Sequence, residues 1–257
     1  MIIENGGKMR SAPPRASAML ESLRGLGYTT ATALADLIDN SIAADASVVD
    51  LRFRWGGTGS TVSVLDDGCG MAASSLDKAM RLGERSPRDL RATSDLGRFG
   101  LGLKTASFSQ CRRLTVASRT TDGPTSCLRW DLDFIESLKD GGWYLLEGPH
   151  PGSESLLEPL ARQARGTIVV WECLDRIVTA GFAEQDFLDL IDRIQKHLAM
   201  VFHRYLDARR RKLTIRINGR AIAPWDPFLA DHPSTWSSPV ETIVTPDGPV
   251  VVQGHVL

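Results

Sequence analysis

Eleven residues, Gly97-Arg98-Phe99-Gly100-Leu101-Gly102-Leu103-Lys104-Thr105-Ala106-Ser107, constrain this chain more than any other stretch. Glycines in the order G-x-x-G-x-G lead into a run of helix formers. Such an entry presents free N–H groups and the positive end of the helix dipole, a suitable seat for a phosphate. Lys104 and Thr105 add a point charge and a hydroxyl just inside the helix. The order is not the dinucleotide G-x-G-x-x-G, and Leu103 separates Gly102 from Lys104 where the P-loop demands adjacency. Nor does an apolar strand precede it, because Arg88–Asp95 is polar. The two familiar nucleotide loops of parallel-sheet folds are therefore excluded.

Three more segments carry candidate chemistry. A helix is predicted over Thr30–Ala43, because Leu34, Leu37, Ile38 and Ile42 fall on one stripe. Asp36 and Asn40 then share the polar face, one turn apart. A carboxylate that accepts a proton from water, beside an amide oxygen that ligates Mg²⁺, is a usable hydrolytic pair. Alone, the same two residues read as a solvated face. Val64-Leu65-Asp66-Asp67-Gly68-Cys69-Gly70-Met71 ends a strand in an acidic, glycine-rich turn. A carboxylate fixed there can accept hydrogen bonds from an exocyclic amine such as adenine N6, and glycine lets a flat base approach the backbone. Gly166-Thr167-Ile168-Val169-Val170-Trp171 opens a buried strand with a hydroxyl able to bond a base or its water, on an otherwise ordinary β-rich run.

The rest of the chain supplies a scaffold. Further helices are predicted at Ala16–Arg24, Ser74–Leu82, Phe99–Ser109 and, longest, Glu184–Asp207, where apolar residues recur at helical steps. Strands are predicted at Ser47–Arg54, Thr61–Leu65, Arg113–Ser118, Ser126–Leu132 and Thr167–Cys173. Leu213–Ile217 and Arg220–Ala223 flank Asn218-Gly219, a turn pair that tolerates positive φ, and a second hairpin is expected about Pro246-Asp247-Gly248. Glu84–Leu96 and Gly141–Arg165 read as loops, and residues 1–15 as a flexible tail. A net charge of −1 points to no polyanion, and no apolar run is long enough for a membrane span. The cysteines at 69, 111, 127 and 173 are far apart and read as thiols of a cytoplasmic protein.

In order and type, the four segments resemble the N, G1, G2 and G3 boxes of the superfamily that unites gyrase B, heat-shock chaperones, histidine kinases and MutL. The wording Ala-Asp-Leu-Ile-Asp-Asn-Ser with Gly-Leu-Gly-Leu-Lys-Thr-Ala-Ser looks most like the microrchidia ATPases and their bacterial relatives. The hairpin Ile215–Ile222, followed by Pro224-Trp225-Asp226-Pro227, is similar to that branch too. The resemblance covers roughly residues 16 to 228. It implies an α+β fold, a two-layer sandwich of the Bergerat ATP-binding type with a mixed, mainly antiparallel sheet and helices on one face. It also implies ATP and Mg²⁺ as ligands. Asp66 would take the adenine amine, Gly68 and Gly70 would shape the pocket, and Met71 and Thr167 would lie by the base. Asn40 would hold Mg²⁺ and Asp36 would be the catalytic base. Gly97, Phe99, Gly100, Leu101, Gly102, Leu103, Lys104 and Thr105 would receive the phosphates. Residues 16–222 would form the ATP-binding domain with a lid about 84–97, and 223–257, closing on a strand-like VVVQGHVL, the beginning of a second, transducer-like domain.

The resemblance further implies an ATP-dependent homodimer, effector domains or proteins downstream, and nucleic acid as a partner of the whole protein. Two departures qualify the activity. Many relatives carry Glu where this chain has Asp36, so the carboxylate is a methylene shorter and hydrolysis is expected to be slow. Relatives also bring a lysine from the following domain to the γ-phosphate, and beyond Arg220 this chain has neither Lys nor Arg. A histidine-kinase-like catalytic domain is one alternative. However, the histidines on a predicted helix, His197 and His203, follow the boxes instead of preceding them. A regulatory module of a DNA-associated or defence protein, binding nucleotide without turnover, is the other. The run Arg209-Arg210-Arg211-Lys212 reads as a helix C-terminus whose charges suit the dipole.

Overall fold

The computed structural model describes residues 12–25, 27–83, 102–207, 213–246 and 248–256. Two helices open it, α1 (Ala16–Arg24) and α2 (Thr30–Ala43). Thr29 caps α2 in extended geometry. Its hydroxyl accepts from the Thr32 N–H at 3.2 Å, and the Thr32 hydroxyl accepts from the Thr29 N–H at 3.0 Å. Donors that a helix start leaves open are thereby satisfied. The expected stripe is the buried one: Leu34, Leu37, Ile38 and Ile42 are all nearly inaccessible.

There follow β1 (Val48–Arg54), β2 (Thr61–Asp66), α3 (Ala73–Met80), α4 (Gly102–Phe108), β3 (Arg113–Arg119) and β4 (Ser126–Asp131). Next come α5 (Leu132–Ser137), β5 (Leu146–Glu147), α6 (Glu158–Ala161), β6 (Gly166–Glu172), α7 (Glu184–Val201), α8 (His203–Leu206), β7 (Thr214–Ile217) and β8 (Arg220–Ala221). Among the described residues these strands form one eight-stranded sheet, β5-β4-β3-β6-β2-β1-β7-β8, antiparallel throughout except for the parallel pair β1–β7. The α+β class and the mixed, mainly antiparallel sheet are as the resemblance implies.

Strand alternation decides which side is filled. Leu51 and Phe53, Val62 and Val64, Leu114 and Val116, Val169 and Trp171, and Ile215 and Ile217 share one face, where they meet Leu34 and Ile38 of α2, Phe108 of α4 and Phe187, Ile194 and Leu198 of α7. Each such side chain contributes about 1.5–3 kcal/mol by leaving water. All seven residues of β6 are buried, because it also has cover on the far face. There Leu156, Leu157 and Leu160 close over Leu65, Ala117, Ile168 and Val170.

That cover corrects the sequence reading of Gly141–Arg165 as plain loop, and of helices on one face alone. The segment carries β5 and α6, too short to show a period. The helix α5 also went unforeseen. Asp131 ends β4 and caps α5 at once, its carboxylate accepting from the Phe134 N–H at 3.2 Å. The long helix expected to reach Asp207 breaks at Phe202, which leaves helical geometry as its ring is buried. Asn218 and Gly219 take φ of +48° and +83°, as a tight hairpin turn demands. Past β8, a separate hairpin pairs β10 (Glu241–Thr245) with β11 (Gly248–Val252), and β9 (Trp236–Ser237) pairs with β12 (His255–Val256).

Candidate functional site

Three strands end side by side. The register sets Asp66 of β2 opposite Thr167 of β6, and Thr167 opposite Ser118 of β3. Being in phase with Val64, Val169 and Val116, all three project to the helix-covered side. Asp66 is 7% exposed, and its Oδ1 accepts from the N–H groups of Gly68 at 2.9 Å and Thr167 at 3.2 Å. Ser41 of α2 donates to Oδ2 at 3.1 Å. Burial raises the Asp66 carboxyl above the ordinary range, opposed in part by these three donors. The Ser118 hydroxyl donates to the Gly166 carbonyl at 3.0 Å and accepts from the Met71 N–H at 2.8 Å. Its single proton is then committed, so its 2.8 Å contact with the Thr167 hydroxyl is donated by Thr167. Thr167 therefore meets any ligand as an acceptor.

The turn after β2 lies tightly over this row. Gly70 has φ +69°, and a Cβ built on it would lie 1.9 Å from the Arg119 carbonyl oxygen. A Cβ on Gly68 would lie 2.8 Å from the Ala44 carbonyl oxygen at the end of α2, where the Cys69 N–H also donates at 2.9 Å. A third glycine that sequence reasoning passed over, Gly166, has φ +136° and would place a Cβ 2.1 Å from the Asp66 carbonyl oxygen. The adjacent carboxylates divide the work. Asp67 accepts from the N–H groups of Ser47 at 2.7 Å and Val48 at 2.9 Å, fixing the start of β1, while Asp66 turns inward to the row.

The polar face of α2, the helix that also supplies Ser41 to Asp66, carries the other two candidates. Asp36 is partly buried, while Asn40 is exposed and its side-chain amide makes no hydrogen bond with the described residues. Tyr28 donates from its hydroxyl to Asp36 Oδ2 at 2.7 Å, and Thr105 hydrogen-bonds the same phenol. Burial, and then the bond to Asp36, raises the Tyr28 hydroxyl above its usual value. Asp39, one turn from Asp36, is pushed up to about 6 by burial and secondly by the Asp36 charge.

The helix α4 faces Asp36. A Cβ on Gly102 would lie 3.6 Å from Asp36 Oδ2, an ordinary contact. The Lys104 side chain does not stand open at this end. It is 2% exposed, and its ammonium donates to the carbonyls of Ala79 at 2.7 Å and Arg81 at 2.9 Å, about the end of α3. Burial lowers it to about 8. A part in phosphate binding would require those bonds to be exchanged. Leu103 packs against the core. Gly97, Phe99, Gly100 and Leu101, the lid at 84–97 and the basic run at 209–212 lie outside the described residues.

The sequence profile of the family described as histidine kinase-, DNA gyrase B- and HSP90-like ATPase matches residues 28–167, more than half of the chain. The chain belongs to this family. The match begins at Tyr28 and ends at Thr167. Among similar proteins are two DNA mismatch repair proteins MutL. That of Sphingopyxis alaskensis is 34% identical over 122 residues, which is 46% of this chain and 18% of that protein. That of Azotobacter vinelandii is 38% identical over 91 residues, 34% of this chain and 14% of its own length. The chain thus spans less than a fifth of these relatives. Binding of ATP follows from the family. No helix among the described residues is long and apolar enough to cross a membrane.

The fold brings Asp66, Gly68, Gly70, Met71 and Thr167 into one cluster and sets Asp36, Asn40 and Gly102 along one side of α2 and α4. Sequence reasoning missed Tyr28, Ser41, Ser118 and Gly166. Ser41, directly after Asn40, and Gly166, directly before Thr167, adjoined residues already singled out, and that adjacency was the available signal.

Proposed function

We propose that this chain is a Mg-ATP-binding domain that hydrolyses ATP slowly and whose nucleotide state governs pairing with a second copy. The observation that carries the reading is the buried Asp66–Thr167–Ser118 row. Its acceptors sit under a turn that tolerates no side chain at Gly70, and the Ser41 hydroxyl ties the row to α2, the helix that carries Asp36. Adenine N6 gives hydrogen bonds and N1 takes them, so a site rich in fixed acceptors with hydroxyl-bound water discriminates for that edge. Asp66 Oδ2, engaged among the described residues by Ser41 alone, retains a lone pair for the amine.

The residues present also fit Mg²⁺. Asn40 offers a neutral oxygen, not engaged by the described residues, one turn from a carboxylate, a donor set suited to a hard cation that keeps most of its waters. Bound there, the ion would neutralise charge on the phosphates. Asp36 acts as general base. Its carboxylate takes a proton from water as the water oxygen bonds the γ-phosphorus. The bond from that phosphorus to the bridging oxygen breaks, giving ADP and phosphate, and the proton then passes from Asp36 to solvent. The shorter reach of Asp accounts for slow turnover.

Self-association and a role in a nucleic-acid-linked or effector assembly are supported by the family's habit of pairing and by the relatives' name. The microrchidia-like wording of Asp36–Ser41 and Gly102–Ser107 supports that branch, and free cysteines suit a cytoplasmic setting. The test is Asp36→Ala. ATP affinity should stay within a few-fold while turnover falls by about 10²–10⁴. Undiminished turnover would remove Asp36 from the chemistry. Light scattering should show a larger species with a non-hydrolysable ATP analogue than with ADP, and equal size with both would remove the pairing.

A further inference from the structure

We infer that Tyr28 is a positioning residue for Asp36. The inference rests on Asp36 being the base of the proposed hydrolysis. Tyr28 immediately precedes the Thr29 cap of α2, and its ring packs against the core. Its backbone carbonyl is held by the Gln110 side chain at 3.4 Å, and that side chain also accepts from the Thr30 hydroxyl at 2.7 Å. The ring is thus fixed from both ends, and the hydroxyl is delivered eight residues ahead to Asp36 Oδ2 at 2.7 Å. Thr105 of α4 hydrogen-bonds the phenol in turn. Since the single phenolic proton goes to Asp36, Thr105 is the donor in that contact.

Two consequences follow. Oδ2 is engaged by Tyr28 and stands over Gly102, so Oδ1 is the oxygen left to receive a proton from water. A short carboxylate also has few ways to correct its own aim. The Asp36 carboxylate still turns about its two side-chain torsions, and the phenol's bond to Oδ2 selects one orientation. The link to Thr105 carries that orientation to α4, so α2 and α4 share one fixed point. A misplacement of a reacting group by about an ångström is enough to lose a large factor in rate.

Tyr28→Phe removes the hydroxyl alone and keeps the ring in the core. Turnover should fall about ten- to a hundredfold, the range for losing a hydrogen bond to a charged group, with KM for ATP and affinity for ADP unchanged. In an Asp36→Ala background the same change should do nothing further, since both act through one carboxylate. A second readout needs no turnover. With the three tyrosines replaced by 3-fluorotyrosine, the ¹⁹F resonance lost in Tyr28→Phe should be the one that moves in Asp36→Asn. The inference is overturned by full turnover in Tyr28→Phe, by an additive loss in the double variant, or by a Tyr28 resonance indifferent to Asp36. If Asp36→Ala keeps full turnover, the base reading itself fails and the positioning role fails with it. If Asp36→Ala is inactive and Tyr28→Phe is not, the positioning role fails alone.

Discussion

The carbonyl oxygen of Arg119 occupies the space that a side chain at Gly70 would need, with only 1.9 Å between it and a Cβ built there. The turn that roofs the Asp66–Thr167 row is therefore pressed against the end of β3 by backbone alone. Gly70→Ala combines this collision with a φ of +69°. Left-handed geometry costs about 1–2 kcal/mol for a non-glycine residue, and overpacking adds about 1–3 kcal/mol. The variant should lose about 3 kcal/mol of stability by chemical denaturation and bind ADP at least tenfold more weakly. A stable variant with intact affinity would show that the turn can lift from β3 without consequence.

Gly102 presents the opposite case. Among the described residues its Cβ would touch only Asp36 Oδ2, at 3.6 Å, so alanine fits against them. Exchanging Gly for Ala in a helix usually stabilises by up to about 1 kcal/mol. Gly102→Ala should therefore melt no lower than the parent. A methyl group set against the base would still crowd an incoming water, and turnover should drop about tenfold or more. Loss of stability together with turnover would point to a strained start of α4 instead.

Some of this site was open to reading along the chain and some was not. The stripe Leu34, Leu37, Ile38 and Ile42 announces α2 and its buried face by period alone, and the same period sets Asp36 and Asn40 on the polar side. Asp66 and Asp67 are chemically alike in sequence. Only the pleat, which turns Asp66 inward while Asp67 reaches back to Ser47 and Val48, assigns their tasks. Ser118 is one hydroxyl among many until the register sets it opposite Thr167. Lys104 shows the limit most clearly. The glycines before it suggested a free charge at a helix start, whereas the end of α3 supplies two carbonyls to that ammonium. Partners of this kind come from elements far apart in the chain, and no local period encodes them.

Replacing Asp66 with Ala would strand three donors, the N–H groups of Gly68 and Thr167 and the Ser41 hydroxyl, so lost affinity would be mixed with lost stability. Asp66→Asn keeps the shape and one oxygen for the two N–H groups. Its NH₂ would then face the adenine amine, donor against donor. Affinity for ADP should fall at least tenfold, as expected for a charged acceptor worth about 1.5–3 kcal/mol, while the melting temperature changes little. Calorimetry decides it, and unchanged ADP affinity in a folded Asp66→Asn protein would falsify the adenine assignment.

Asp39 gives a prediction in pH. Its carboxyl stands at about 6 in the folded chain against an ordinary 3.8, raised by burial and then by Asp36. The native state therefore holds more proton than the unfolded chain between those two values. The stabilisation that results is complete below about pH 4 and is lost as pH rises through about 6. At neutral pH the ionised Asp39 is thus a burden on the fold, carried beside the like charge of Asp36. Asp39→Asn keeps the shape and removes the charge, so it should stabilise the ligand-free domain at pH 7. The full shift would correspond to about 3 kcal/mol, and partial solvent screening reduces the expected gain to about 1–2 kcal/mol. The gain should shrink as pH falls and vanish near pH 4, where wild-type Asp39 is protonated as well. Thermal or urea melts of both proteins at several pH values between 4 and 7 measure this directly. A gap that stays constant across that range would mean that Asp39→Asn acts through packing or local hydrogen bonds and not through a displaced titration.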